Sequence, residues 1–147
     1  MLLNIVERVR RSKQIQEVIV ATSQLPADNE IEALCQQQSI SYFRGDEADV
    51  LDRYYHAALQ FKADVIVRIT ADCPLIEPAL IDQMLKIYAE GQTCDYVSNT
   101  NPPRTFPRGL DAEIMSFSAL QTAWREDKSP DWREHVTTCL LYTSRCV

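Results

Sequence analysis

Arg68 to Pro78 reads RITADCPLIEP and follows the β-branched run Val65-Ile66-Val67. A continuous apolar run of this kind is what a strand covered on both faces looks like, because helices on either side of a parallel sheet bury both sets of side chains. The run ends at Asp72, and Pro74 and Pro78 close its exit. Pro74 restricts Cys73 to extended geometry, which helps to fix the direction of the aspartate. In open α/β sheets, ligands bind just beyond the carboxyl ends of the strands. A carboxylate there suits Mg²⁺, which takes one or two carboxylates, several waters and the phosphate oxygens of a substrate. Aspartate near proline is also common turn and helix-cap punctuation, so position alone leaves both readings open.

Outward from this stretch, helical and strand patterns alternate. Leu2, Leu3, Val6 and Val9 recur at helical spacing and predict an amphipathic helix ending near Lys13. Glu17 to Ala21 reads as a buried strand closed by Thr22 and Ser23, and Pro26, Asp28 and Asn29 open a helix through Leu34. Ile40 to Phe43 predicts a second strand, stopped by Arg44-Gly45-Asp46, and Val50 to Leu59 a further helix. Asp64 to Thr70 is the strand leading to Asp72, and Glu77 to Glu90 is a helix stopped by Gly91. The last third is less regular: 99–109 reads as loop, Leu110 to Phe117 as a strand and Ala119 to Trp124 as a helix. The alternation predicts α/β layers around a mostly parallel sheet. Asp72, Thr22-Ser23 and Arg44-Gly45 are then three strand ends expected to point polar groups toward one edge.

The bulk composition narrows the functional classes. With 46% apolar and 24% charged residues, the 147-residue chain is ordinary globular protein, long enough for a real core. A net charge of −6 argues against a dedicated nucleic-acid binder, which needs a basic surface, but not against a mononucleotide. No apolar run approaches the roughly 20 residues that span a bilayer. The start MLLNIVERVRRSK places apolar residues before basic ones, the wrong order for a signal peptide, so a cytoplasmic location is expected.

Five scattered cysteines without a CxxC pair suit neither a disulfide framework nor a zinc site. Cys73 has no obvious base nearby in sequence, so packing is the expected role for it. His56 and His135 read as packed or surface histidines, and Arg8, Arg10, Arg11 and Lys13 as a solvated face. PPRTFPRGLDAE sets arginines, a glycine and two carboxylates around an aromatic, a pattern that suits an anion-contacting loop.

VIVATS, YFRGDEADVLDRYYHAA, VIVRITADCPLIEP, DYVSNT, FPRGLDAEI and SPDWREHVT, in this order, resemble the cytidylyltransferases related to spore coat polysaccharide biosynthesis proteins. These are a branch of the acylneuraminate and deoxy-octulosonate cytidylyltransferases. The resemblance covers about residues 2 to 138. It implies a three-layer, Rossmann-like and GT-A-like α/β nucleotidyltransferase domain. The implied reaction joins CTP and a sugar acid or related sugar into a CMP-sugar, with Mg²⁺ and release of pyrophosphate. By the same resemblance Asp72 is the metal-binding aspartate, and Arg44, Gly45, Asp49 and Arg53 border the nucleotide pocket. Arg108, Gly109, Asp111 and Glu113 line the sugar side. Relatives of this kind often dimerise, which implies a homodimer for the whole protein; neither nucleic acid nor membrane is an expected partner.

Two departures qualify the resemblance. The family's phosphate-gripping loop, of the kind QARMGSTRLPGK, and its VDTPED-like segment with a second metal carboxylate are not among these 147 residues. Cys139 to Ser144, CLLYTS, resembles one reading frame of a transposon-derived sequencing adapter. The expected organisation is therefore a partial domain over 1–138 and a non-native tail over 139–147, inactive alone. A sugar- or nucleotide-binding assembly module without catalysis is the alternative reading. Loss of a first strand from the middle of the sheet is expected to leave Val18 to Val20 and Val65 to Val67 with unpaired edges.

Overall fold

The computed structural model describes residues 1–91, 94–100, 104, 106–138 and 140. The expected loop positions 101–103 and 105 lie outside the described residues, as does the expected tail except for Leu140, which is buried. In chain order the elements are α1 (Leu2–Val9), β1 (Ile19–Ser23), a 3₁₀ turn (Pro26–Asp28), α2 (Asn29–Gln37), β2 (Ser41–Gly45), α3 (Val50–Gln60), β3 (Val65–Arg68), α4 (Pro78–Glu90), β4 (Tyr96–Ser98), β5 (Glu113–Ser116), α5 (Phe117–Glu126) and α6 (Pro130–His135). They fall into two compact units, one of Met1–Gln16 and Val65–Ser116, the other of Glu17–Asp64 and Phe117–Thr143 as far as it is described.

In the first unit, β5 lies between β3 and β4 and runs antiparallel to both, with Arg68 and Ser98 each opposite Glu113. Tyr96, Val97, Ile114 and Met115 fill its core, and Leu80, Ile81 and Met84 of α4 pack there as well. Helix α1 ends at Val9 rather than near Lys13, because Asp82 collects the donors that follow it. Ser12 Oγ donates to Asp82 Oδ1 at 2.5 Å, Lys13 N at 3.1 Å, and Gln14 Nε2 reaches the Asp82 carbonyl at 2.9 Å. Helix α4 stops at Gly91 as expected, yet with φ −76° this glycine is needed for space: a Cβ would lie 2.9 Å from Cys94 Cβ. β4 spans only three residues, too few for a two-residue alternation to announce it. β3 pairs only with β5 among the described residues, and Val65 is 41% exposed.

The second unit holds the parallel pair. β1 and β2 run side by side with Thr22 opposite Arg44 and Ser23 opposite Gly45, so both polar strand ends meet at the carboxyl edge of this pair. β2 therefore extends two residues further than expected, because Arg44 and Gly45 still pair through their backbones. Leu51, Tyr55 and Ala58 of α3 pack in the core with Ala119, Leu120 and Ala123 of α5. Tyr55 stacks on Trp124 at 4.1 Å and on Phe117 at 5.7 Å.

Candidate functional site

Beyond β3 the chain makes two tight turns in succession. Cys73 N donates to Thr70 O at 3.1 Å, and Ile76 N to Cys73 O at 3.2 Å. Cys73 and Ile76 are 2% and 0% exposed. These two buried side chains pin the turns inward, and Asp72, immediately before Cys73, is exposed. The thiol thus has the packing role expected of it.

Asp72 is held by one oxygen. The Thr70 hydroxyl donates to Oδ1, and the Cys73 thiol contributes a long bond of 3.7 Å to the same atom. Oδ2 receives no hydrogen bond from any other described residue. The Thr70 hydrogen bond is the foremost cause holding the Asp72 carboxyl below its ordinary pKa; partial burial opposes it and the Arg68 charge assists. An ionised carboxylate with one fixed and one open oxygen fits an ion such as Mg²⁺, which binds proteins through one or two carboxylates and keeps waters and phosphate oxygens. It does not fit a closed cage, and the described residues contain no cluster of three or more His, Cys, Asp or Glu placed to hold a metal.

Within the same unit a cleft of about 220 Å³ is lined by Arg68, Thr70, Thr100, Arg104, Asp111 and Glu113. Thr70 therefore faces the cleft and also fixes Asp72. Two of the four expected sugar-side residues, Asp111 and Glu113, line this cleft, and both are already engaged. Arg104 grips Asp111 through two bonds of 2.6 and 2.9 Å, the fork geometry that matches guanidinium to carboxylate. Glu113 is 7% exposed and receives Arg68 on one oxygen and the Tyr96 hydroxyl on the other. Gly109 turns the chain with φ +91°, a left-handed backbone that glycine adopts without penalty. Arg108 beside it is exposed and has no partner among the described residues. Asn99 locks the return strand, donating to Leu110 O at 2.7 Å and accepting from Ala112 N at 3.0 Å. The motif DYVSNT contained this residue, but its task depends on a partner strand that local pattern does not reveal.

The second unit carries the residues expected to border the nucleotide, and there they close on one another. Arg44 donates to Ser23 O, Leu25 O and Asn29 Oδ1, each at 2.9 Å, and pairs with Glu32. Gly45 leaves room for α3, since a Cβ would lie 2.9 Å from Arg53 Cγ and 3.1 Å from Arg53 Cβ. Asp49 caps α3, accepting from Asp52 N at 2.9 Å with Oδ1, and its other oxygen takes Arg133 Nε at 2.7 Å. Arg53 Nη1 reaches back to Asp46 O at 2.7 Å. Arg133 also donates to Trp124 O and Asp127 O, tying α6 to the ends of α3 and α5. Its motif, SPDWREHVT, was legible, but this role as a tie was not.

An exposed carboxylate thus follows β3, in the same unit as a cleft of polar and charged groups. The chain belongs to the cytidylyltransferase family, whose pattern matches residues 1–141. It is 43% identical over 133 residues to the uncharacterized protein MJ1063 of Methanocaldococcus jannaschii, covering 90% of this chain and 53% of that protein. It is 33% identical over 139 residues to the spore coat polysaccharide biosynthesis protein SpsF of Bacillus subtilis, covering 90% of this chain and 55% of that one. A solved cytidylyltransferase from Leptospira borgpetersenii superposes with a TM-score of 0.87 at 33% identity, over 93% of this chain and 58% of its own. The fold is thus that of the α/β nucleotidyltransferases. The chain spans about half the length of the curated relatives it matches.

Proposed function

We propose that this chain is part of a CTP-dependent nucleotidyltransferase that makes a CMP-sugar from a sugar acid or related sugar for surface polysaccharide synthesis. The observation that carries the reading is the outward, ionised Asp72 with its free oxygen at the end of β3. A sugar oxygen attacks the α-phosphorus of CTP in line and gives up its proton, while the bond to the β-phosphate oxygen breaks and pyrophosphate leaves. The protein's part in such a transfer is positioning and charge neutralisation. Asp72 would hold Mg²⁺, which supplies positive charge to the phosphates. Asp111 and Glu113, held by Arg104 and Arg68, present fixed carboxylate edges to sugar hydroxyls, and Arg108 beside the Gly109 turn is an exposed cation of that side. Arg44, Gly45, Asp49 and Arg53 border the nucleotide as a shaped wall whose side chains hold one another.

In this reading residues 1–138 are a partial domain and 139–147 a non-native tail. The 147 residues alone are inactive, because the family's phosphate loop and second metal carboxylate are not among them. The whole protein works in the cytoplasm as a homodimer; among the described residues no helix is long and apolar enough to cross a membrane. The test is to extend the chain with those two family segments and supply CTP, Mg²⁺ and a panel of sugar acids and related sugars. Pyrophosphate release with at least one sugar is expected. CTP binding without release for any sugar would favour a non-catalytic binding module instead.

A further inference from the structure

Arg8 was expected on a solvated helix face, and it is instead half-buried. Its neighbours Ile5, Val6 and Val9 bury the other side of α1 in the first unit and fix the helix there. From that base the guanidinium touches three consecutive residues 67 to 69 positions away. Nε donates to Ile76 O at 2.7 Å, and Nη2 reaches Leu75 O at 3.4 Å and Glu77 Oε2 at 3.1 Å. No other donor to the Leu75 or Ile76 carbonyl stands among the described residues, and a part-buried carbonyl without a donor is unfavourable. The three contacts close the far end of the double turn whose near end is closed by Thr70 and Cys73. Asp72 lies in the near turn, next to Cys73, whose carbonyl accepts from Ile76 N and so joins that turn to the one Arg8 holds.

We propose that Arg8 is a positioning residue for Asp72: it straps the end of the turn and so fixes where the open carboxylate oxygen points. The inference rests on the reading of Asp72 as the metal carboxylate. Residues that orient a metal ligand from outside matter to affinity, and their removal typically weakens metal binding about 10- to 100-fold. A lysine cannot replace this arginine, because an ammonium is a point charge without the planar fork that reaches two carbonyls and a carboxylate together.

The test uses the whole protein, with Mn²⁺ as the probe followed by electron paramagnetic resonance and with hydrogen exchange at single amides. Arg8→Met keeps the stem and removes every donor. It is expected to weaken Mn²⁺ binding about tenfold. It should also speed exchange at the Cys73 and Ile76 amides while leaving Val97 and Met115 in β4 and β5 unchanged. Arg8→Lys should recover only part of either effect. If Arg8→Met does not fold, Glu77→Ala removes one leg of the strap and should give the same pattern at about two- to threefold, below the full effect of an orienting residue. Unchanged Mn²⁺ affinity in the folded variants would overturn the proposal, as would exchange that rises equally in β5 and in the turn. Asp72→Asn separates the two readings. If it leaves Mn²⁺ binding intact, the metal assignment fails; if it abolishes binding while Arg8→Met does not weaken it, only the strap fails.

Discussion

Asp49 and Asp72 are the same residue type in adjoining motifs, and the two units use them in opposite ways. Asp49 spends both oxygens on the protein, capping α3 with one and holding Arg133 with the other. Asp72 spends one oxygen and keeps the second open. The arginines do not divide by unit: Arg44 and Arg133 in the second unit, like Arg8, Arg68 and Arg104 in the first, are taken up by carbonyls and carboxylates of their own unit, whereas Arg108 stands exposed on a glycine turn. Motif residues of one chain thus separate into those whose polar atoms are taken up by neighbouring elements and those left open, which the proposed reading assigns to the wall and to the site. The separation is decided by whether a neighbouring element supplies the partner.

The largest effect on stability is expected where that wall is tied together. Arg133→Ala removes three hydrogen bonds from a side chain only 16% exposed and leaves Asp49 and two carbonyls short of a donor. A loss of about 2–3 kcal/mol in urea unfolding is expected, in the range for hydrogen bonds to charged groups. Next comes Gly45→Ala, whose new methyl meets Arg53 and the Phe43 ring within 3.1 Å. Overpacking of this kind costs about 1–2 kcal/mol, and a neutral result would show that α3 shifts freely at that point.

Cys73→Ser is a milder change. It places a hydroxyl at a site 2% exposed and should cost about 1 kcal/mol with turnover retained. Turnover lost in a folded serine variant would mean that the thiol does more than anchor the turn.

The smallest effect is one of pH. The pKa of Asp72 is lowered in the folded protein, so its contribution to stability is present above the ordinary carboxylate pKa and fades as pH falls through the lowered value. Thr70→Val removes the foremost cause, so the Asp72 pKa should rise toward normal. The acid limb of Mn²⁺ binding should then move to higher pH. An unmoved limb would show that the hydroxyl does not control the charge of this carboxylate.

The strand and its terminal carboxylate were legible in the sequence, whereas the division between the two aspartates was not. The run Val65-Ile66-Val67 leading to Asp72 announced a strand and its terminal carboxylate, and β3 and the turn stand there. The α/β alternation was legible for the same reason, since periodicity and turn residues are local properties. The direction of β5 was not, because an alternating stretch carries no record of which neighbours it pairs with. The partner of Arg8 lies 68 residues away and that of Arg133 lies 84 residues away. No local pattern distinguishes such arginines from solvated ones. β1 and β3 each pair on one edge only among the described residues, so their apolar runs are half-buried where full cover was expected.

The comparison between the two aspartates is most directly tested by measuring pyrophosphate release from Asp72→Ala and Asp49→Ala side by side, in the extended protein and at a temperature where both are fully folded. Loss of an N-cap costs about 1–2 kcal/mol, so Asp49→Ala is expected to melt earlier yet to keep turnover within a few-fold of the parent. Asp72→Ala, losing a solvent-facing side chain, should melt within about 0.5 kcal/mol of the parent and release no measurable pyrophosphate. Turnover retained by folded Asp72→Ala, or abolished in folded Asp49→Ala, would contradict the assignment of one aspartate to the site and the other to the wall.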